Sequence, residues 1–258
     1  MAPPRAGTAD TAPAAETAPA ARRRKPTGPA PTLVLFVRHG TTPTTGQVLP
    51  GRAAGLHLAD RGREQAERVA ERLAGWRAAP ATAAEPARSA AKRAATPARR
   101  SVTAVYASPL ERTRETAAPI ARALGLKVQA QRGLLECDFG DWTGRQLKEL
   151  ARLPEWQTVQ RFPSGFRFPG GESFAGMQAR MVDTVTALVA RHPGETIVAV
   201  SHADPIKAAV AEAMGTHLDL FQRIVISPCS VTAVSYGAAG PVVLGVNSTA
   251  SLDELVPS

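Results

Sequence analysis

The sequence has few cysteines, few aromatic side chains and no long apolar run. Only two of its 258 residues are cysteines, and 5% are aromatic. Cys137 and Cys229 lie far apart without paired spacing, so neither a disulfide framework nor a zinc site is predicted. The longest apolar runs have the length of a strand, and no hydrophobic segment follows the N-terminal charges. We therefore expect neither a membrane span nor a secretory signal, and a cytoplasmic protein with reduced thiols.

The net charge of +9 is concentrated in two segments of low complexity. Residues 1–31 carry a net charge of +3 and residues 78–100 carry +4, which leaves +2 for the rest of the chain. We predict a disordered basic tail over 1–31, a flexible surface insertion over 78–100 and a loose end over 249–258. The remaining residues, 32–248, are long enough for one α/β domain, and their near neutrality does not favour a nucleic-acid partner.

One apolar run leads directly into three residues that are suited to phosphate chemistry. Residues 33–37 are continuously apolar and rich in β-branched side chains, which predicts a strand buried on both faces of a parallel sheet. Arg38, His39 and Gly40 follow at the carboxyl end, where open α/β sheets bind ligands. Arginine binds phosphate oxygens bidentately, neutral imidazole can attack phosphorus, and glycine permits a tight turn. Two solvated polar residues at a strand end would give the same pattern.

Further strands and helices alternate along the chain. Apolar periodicity and turn residues predict helices over 60–76, 109–124 and 172–191 and from 204 onwards, and strands over 102–106, 127–131, 196–200, 223–226, 231–235 and 242–246. Pro109 suits the first helical turn, and Asp204 suits a helix N-cap. Because Ser201 and His202 follow a buried strand as His39 does, the two histidines are expected to meet at one edge of the sheet.

Five short motifs together resemble one family. In chain order they are Arg38-His39-Gly40, Ser108-Pro109-Leu110-x-Arg112, Glu136 within LLExxxGxWxG, Gly170-Gly171-Glu172-Ser173, and Ser201-His202. Each motif is weak evidence alone, but the chain from residue 33 to residue 235 resembles the histidine phosphatase superfamily, also called phosphoglycerate mutase-like proteins. The resemblance covers about four fifths of the sequence.

The resemblance implies a three-layer α/β/α sandwich with a mostly parallel central sheet, and a site that needs no metal or other cofactor. It makes His39 the nucleophile that carries a phosphoryl group, and Glu136 the acid that protonates the leaving oxygen. Arg38, Arg112 and His202 would hold the equatorial phosphate oxygens. Four further residues are expected to contribute to phosphate or substrate binding: Thr42, Thr45, Gly46 and Ala203.

Some of these assignments have competitors within the sequence. Arg114 lies two residues after Arg112, and an arginine near a helix N-terminus is often merely exposed. Asp138 lies in the same loop as Glu136 and competes with it for the role of proton donor. Acids in a loop are usually solvated, so each of them also has a non-catalytic interpretation. No partner pattern accompanies two other histidines, His57 and His217.

The sequence also departs from the family pattern. Thr41 and Thr45 stand where many members have an acidic residue and an asparagine, which does not favour a mutase-like site. After His202, many members have small residues where this chain has Ala203 and Asp204. Asp204 would repel a second anionic group on the substrate if it faced the pocket, but we expect an N-cap role instead.

The sequence predicts a metal-independent phosphomonoesterase that acts through phosphorylated His39, with Glu136 as proton donor. The alternatives are a phosphomutase of the phosphoglycerate mutase type and a non-catalytic phosphate-binding module whose basic arms contact nucleic acid. The short loop around Glu136 favours the phosphatase. The expected partner is a small phosphorylated substrate, and a homodimer is compatible with this interpretation.

Overall fold

The computed structural model describes residues 30–78 and 101–251, and six strands within them form one sheet. The strands are β1 (Thr32–Arg38), β2 (Val102–Ala107), β3 (Val128–Ala130), β4 (Thr196–Ser201), β5 (Val231–Gly237) and β6 (Gly240–Ser248). Their spatial order is β3-β2-β4-β1-β5-β6. Pairing is parallel from β3 to β1 and antiparallel from β1 to β6, so the mostly parallel sheet is confirmed.

Helices cover both faces of this sheet. In chain order the α-helices of the described residues are α1 (Asp60–Ala78), α2 (Glu111–Leu124), α3 (Leu147–Leu150), α4 (Pro154–Arg161), α5 (Phe174–Arg191) and α6 (Ala203–Ala213). Successive side chains of β1 point to opposite faces, since strands have a two-residue period. Leu35 packs with residues of α1 and α2, whereas Phe36 packs with residues of α5 and α6. The three-layer α/β/α arrangement is therefore confirmed.

A third core cluster lies beside this sandwich and has no counterpart in the sequence prediction. α3 and α4 contribute Leu150 and Val159 to it, but these helices have only four and eight residues, too few to show a clear apolar period. Aromatic side chains form its centre: Phe139, Trp142, Phe166, Phe168, Phe174 and Phe221. Their edge-on contacts fix the loop that follows Glu136.

The predicted strand over 223–226 is wrong. Residues Leu218–Arg223 form a 3₁₀ helix, and no strand follows it until β5. The Ile226 carbonyl accepts a hydrogen bond from Nη1 of Arg38 at 2.7 Å, and the Ser227 N–H donates to Oδ1 of Asn247 at 2.6 Å. Side chains thus satisfy backbone groups that a neighbouring strand would otherwise satisfy.

Two helix starts differ from expectation. α2 begins at Glu111, so Pro109 precedes the helix, because Leu110 is still extended with φ −69° and ψ 148°. α6 begins at Ala203 with an extended His202 at the cap, so the predicted N-cap role of Asp204 is wrong. Asp204 lies within the first turn, where its carboxylate pairs with Lys207 at 3.3 Å.

The predicted tail, insertion and C-terminal end lie outside the described residues, except for residues 30, 31, 78 and 249–251. Among the helices of the described part of the chain, none is both long and apolar enough to cross a membrane.

Candidate active site

The carboxyl ends of three parallel strands bring the predicted catalytic residues together. Arg38 ends β1 and lies beside Ser201, the last residue of β4. The N–H of His39 donates to the Ser201 carbonyl at 3.0 Å, and the N–H of Ser108, just after β2, donates to the Val200 carbonyl at 3.0 Å. Backbone hydrogen bonds between neighbouring strands thus continue for one residue beyond the ends of β1 and β2. They place His39 and Ser108 at the edge of the sheet, where a ligand-binding crevice is expected.

His39 is held as a neutral imidazole, and only one of its two ring nitrogens has a hydrogen-bond partner among the described residues. Its Nδ1 lies 2.8 Å from the Gly40 carbonyl oxygen, which can only accept a hydrogen bond. Nδ1 therefore carries the proton, and Nε2 keeps its lone pair. Burial lowers the pKa of His39 well below its ordinary value, and the charges of Arg38 and Arg112 lower it further. At neutral pH the side chain is thus an unprotonated imidazole that offers the lone pair of Nε2.

His202 lies against His39 and is fully buried. The two ring centroids are 5.2 Å apart in an edge-on arrangement. Nε2 of His202 lies 2.9 Å from the Ser108 hydroxyl, while its Nδ1 is buried without a partner among the described residues. Burial lowers the pKa of His202 well below its ordinary value, with Arg112 the next cause. Ser108, whose role the sequence did not suggest, therefore orients this ring.

Two arginines supply the positive charge, of which Arg112 is fully buried and Arg38 is half-buried. Nη1 of Arg38 donates to the Ile226 carbonyl at 2.7 Å, and Nη2 of Arg112 donates to the Gly51 carbonyl at 2.7 Å. Nε of Arg38, and both Nε and Nη1 of Arg112, are buried without a hydrogen-bond partner in the described part of the structure. Arg112 is 0% exposed, whereas its competitor Arg114 is exposed. Buried donors without partners are costly, and an anion would satisfy them.

Glu136 lies in the same buried group and is 7% exposed. Its Oε1 accepts the N–H of Cys137 at 2.9 Å. Burial, followed by the charge of Asp204, raises the pKa of Glu136 to about 7, against the opposing effects of Cys137, Arg112 and Arg38. A carboxyl with this pKa can both give and take a proton near neutrality.

Asp138, the competitor of Glu136, lies in a different environment. It faces solvent, with its side chain 43% exposed, and lies 3.5 Å from Arg52. Glu136, by contrast, is buried, and the charges of Arg38 and Arg112 act on it.

The loop after His39 is shaped by close packing rather than by a special backbone angle. Gly40 does not have a positive φ. A Cβ on Gly40 would lie 2.5 Å from the carbonyl oxygen of Gly62 in α1, so only glycine fits there. The Gly40 N–H donates to the hydroxyl of Thr116 at 3.0 Å. α1 and α2 therefore hold this loop in place.

The four predicted substrate-binding residues lie on two segments, the turn after His39 and the start of α6. Thr42 and Thr45 bond to each other, with 3.0 Å between their hydroxyls and 2.9 Å from the Thr42 N–H to the Thr45 hydroxyl. Gly46 is exposed in the same turn with φ 77°. Ala203 is half-buried at the start of α6, next to His202. Their role in binding stays a prediction.

Asp204 is a charged residue whose contribution the sequence analysis dismissed. Its charge raises the pKa values of both Glu136 and Arg38, so it acts on the buried group. Its side chain is 17% exposed and is paired with Lys207. The sequence signal that could have indicated this contribution is the acidic residue at position 204, where many members of the family have a small residue.

Comparison with known proteins places this geometry in a family. The sequence model described as the histidine phosphatase superfamily (branch 1) matches residues 34–99 and 81–249. A bifunctional protein of Mycobacterium tuberculosis is 31% identical over 211 residues, covering 81% of this chain and 52% of that protein. The chain thus spans about half the length of this mycobacterial relative.

Other relatives match over most of their length. Phosphoserine phosphatase 1 of Hydrogenobacter thermophilus is 29% identical over 209 residues, covering 79% of this chain and 88% of that protein. A probable phosphoglycerate mutase of Cronobacter sakazakii is 28% identical over 206 residues, covering 79% of this chain and 84% of that protein.

Solved structures agree with the fold. A phosphoserine phosphatase mutant from Entamoeba histolytica has a TM-score of 0.70 at 23% identity, covering 86% of this chain and 99% of that one. Because the family's sequence model extends over most of residues 34–249, the chain belongs to the histidine phosphatase superfamily.

Proposed function

We propose that the protein is a phosphomonoesterase that acts through a phosphohistidine at His39. The observation that carries this proposal is a neutral, buried imidazole with a free Nε2, placed among arginine N–H groups that have no described partner. Named relatives include both a phosphatase and a probable mutase, so the superfamily alone leaves both reactions open.

Each proposed step follows from a named group. Nε2 of His39 attacks phosphorus, the bond from phosphorus to the leaving oxygen breaks, and protonated Glu136 gives its proton to that oxygen. Arg38 and Arg112 offset the negative charge on the equatorial oxygens. Glu136 then removes a proton from water, whose oxygen attacks phosphorus, and the bond to Nε2 breaks to release phosphate.

Hydrolysis is favoured over phosphoryl transfer by the charge next to the proton donor. Asp204 acts on Glu136, which would lie against the leaving group. This negative charge, which Lys207 offsets in part at 3.3 Å, opposes a leaving group that carries an anion of its own, as the mutase substrate phosphoglycerate does. A non-catalytic module is not favoured, because it would need neither a free histidine nitrogen nor a proton-carrying glutamate.

The direct test is incubation of the full chain with p-nitrophenyl phosphate in the presence of a chelator. We expect nitrophenol and phosphate in equal amounts and, after rapid denaturation at alkaline pH, a phosphorylated peptide containing His39. A panel with phosphoserine and phosphoglycerate then compares substrates suggested by the names of relatives. Transfer of phosphate only to an added acceptor would support the mutase, and the absence of both release and labelled enzyme would refute the proposal.

The pH dependence of kcat/KM should report Glu136 and its neighbour Asp204. Because protonated Glu136 is the active form, kcat/KM should fall as pH rises through about 7. Asp204→Asn removes a charge that raises the pKa of Glu136, so the alkaline fall should move to lower pH. A pH profile with phenyl phosphate, whose leaving oxygen needs a proton, measures this shift after correction for substrate ionisation. Asp60→Asn, in the exposed first turn of α1, is the control, and an unmoved profile in Asp204→Asn would contradict the assignment.

A further inference from the structure

The Gly170-Gly171-Glu172 motif plays no part in the steps above, yet both carboxylate oxygens of Glu172 are occupied. Oε1 accepts from Nε of Arg180 at 2.9 Å. Oε2 accepts from Nη2 of Arg180 and Nη2 of Arg52, each at 2.9 Å, and from the N–H of Asp138 at 3.3 Å. The side chain is 18% exposed. Glu172 therefore joins an arginine of the loop after β1 to an arginine of α5.

Both arginines then hold the backbone around Glu136. Nε of Arg52 donates to the Glu136 carbonyl at 2.8 Å. Nη1 of Arg180 donates to the carbonyls of Gly133 at 2.7 Å and Leu135 at 3.0 Å, and its Nη2 reaches the Glu136 carbonyl at 3.4 Å. Charge-assisted bonds of this kind are short and directional, so they fix the path of the backbone.

Two glycines, Gly171 of this motif and Gly140 of the loop after Glu136, let two backbone segments touch. The N–H of Glu172 donates to the Asp138 carbonyl at 2.8 Å. A Cβ on Gly171 would lie 2.4 Å from that carbonyl oxygen, and a Cβ on Gly140 would lie 2.0 Å from the Pro169 carbonyl oxygen. The loop before α5 is thus packed directly against the loop that follows Glu136.

The Glu136 side chain itself has little to hold it. Its described hydrogen bond is to the N–H of the next residue, Cys137, so the position of its carboxyl follows the position of its backbone. We propose that Glu172 is a positioning residue, which uses Arg52 and Arg180 to place the Glu136 carboxyl against the leaving oxygen. This inference rests on the proposed function of Glu136 as proton donor.

Glu172→Gln should therefore impair the reaction selectively, according to the leaving group. An alkyl phosphate needs a proton on its leaving oxygen, so kcat/KM should fall by about 10-fold to 100-fold. Dinitrophenyl phosphate releases a stable anion without a proton, so its kcat/KM should change by less than about 3-fold. The measurement compares the two substrates, with glycerol phosphate, whose leaving group is an uncharged alcohol, tried first as the alkyl phosphate. kcat/KM is the right quantity because it includes only steps up to release of the alcohol.

The matched control is Glu67→Gln on α1, which changes a carboxylate bound by Nη2 of Arg122 at 2.7 and 2.9 Å on the exposed surface. It should leave both substrates unaffected. Glu136→Gln should reproduce the leaving-group pattern of Glu172→Gln in stronger form. Arg52→Lys is the variant to use if Glu172→Gln does not fold. It keeps the positive charge, but an ammonium cannot reach both Glu172 and the Glu136 carbonyl as a guanidinium does, so we expect the same leaving-group pattern.

The outcomes separate the inference from the proposed function. Equal losses with both substrates would show a structural role for Glu172, and no loss would show none, so either result overturns the inference while the phosphatase stands. A wild type that turns over no phosphoester and forms no phosphorylated His39 would overturn the proposed function, and the inference with it.

Discussion

His39→Ala is expected to abolish phosphate release, with kcat reduced by at least about 10³-fold, since removal of a nucleophile leaves only the residual effect of the binding groups. The structure gives the reason, because His39 has its Nε2 free while Nδ1 donates to the Gly40 carbonyl. We do not expect His202 to replace it, since its Nε2 is engaged by Ser108 and its Nδ1 is buried. The measurement is phosphate release from p-nitrophenyl phosphate, together with mass analysis for phosphorylated histidine.

His217→Ala is the matched control for this substitution. His217 is another histidine of the described chain, with its side chain 68% exposed beside Asp219, and it should keep wild-type activity. Equal activity of His39→Ala and wild type would refute the nucleophile assignment. A phosphorylated peptide that maps to His202 instead would show that the two histidines have exchanged roles.

The sequence predicted the buried strand β1 and the gathering of polar residues at its end for a local reason, whereas the three-layer sandwich followed from the family resemblance. Residues 33–37 form an unbroken apolar run, and the polar residues follow directly at its end, so strand and site share one stretch. His202 follows the equally buried β4 in the same way. Where a site residue is fixed by the end of a strand, the order of residues along the chain is enough to place it.

The sequence could not show contacts between distant segments. Arg52 and Glu172 are 120 residues apart, and their hydrogen bond leaves no periodic signal in either segment. Asp204 was misjudged because an acid before a proline fits an N-cap, while the actual cap depends on the extended backbone of His202. The mistaken strand over 223–226 has the same origin, since the Arg38 side chain takes the Ile226 carbonyl.

The buried charges of the site oppose stability as well as serving the proposed chemistry. Burial lowers the pKa of Arg112; the charges of Glu136 and then Glu111 raise it, and the repulsion of Arg38 lowers it further. Glu136 has a pKa of about 7 and is therefore only partly ionised at neutral pH, so it offsets this positive charge incompletely. Such an arrangement favours an anion in the site and makes the empty protein less stable than one with an apolar side chain in its place.

Arg112→Met should therefore separate activity from stability. Loss of the guanidinium removes charge stabilisation of the transition state, so kcat/KM should fall on the order of 10³-fold. Removal of a desolvated charge should raise the free energy of unfolding by about 1 to 2 kcal/mol, after the lost bond to the Gly51 carbonyl is included. Denaturant unfolding in a buffer free of phosphate and sulfate measures the second effect, because a bound anion would stabilise the wild type.

Arg114→Met supplies the control, because Arg114 is on the same helix but exposed, and neither activity nor stability should change by much. Arg112→Lys should not restore activity, since an ammonium cannot present the two buried N–H groups of the guanidinium fork in their fixed geometry. If Arg112→Met lost stability together with activity, Arg112 would be a structural residue. A gain in stability with loss of activity would instead show that the fold carries this charge for the sake of a phosphate.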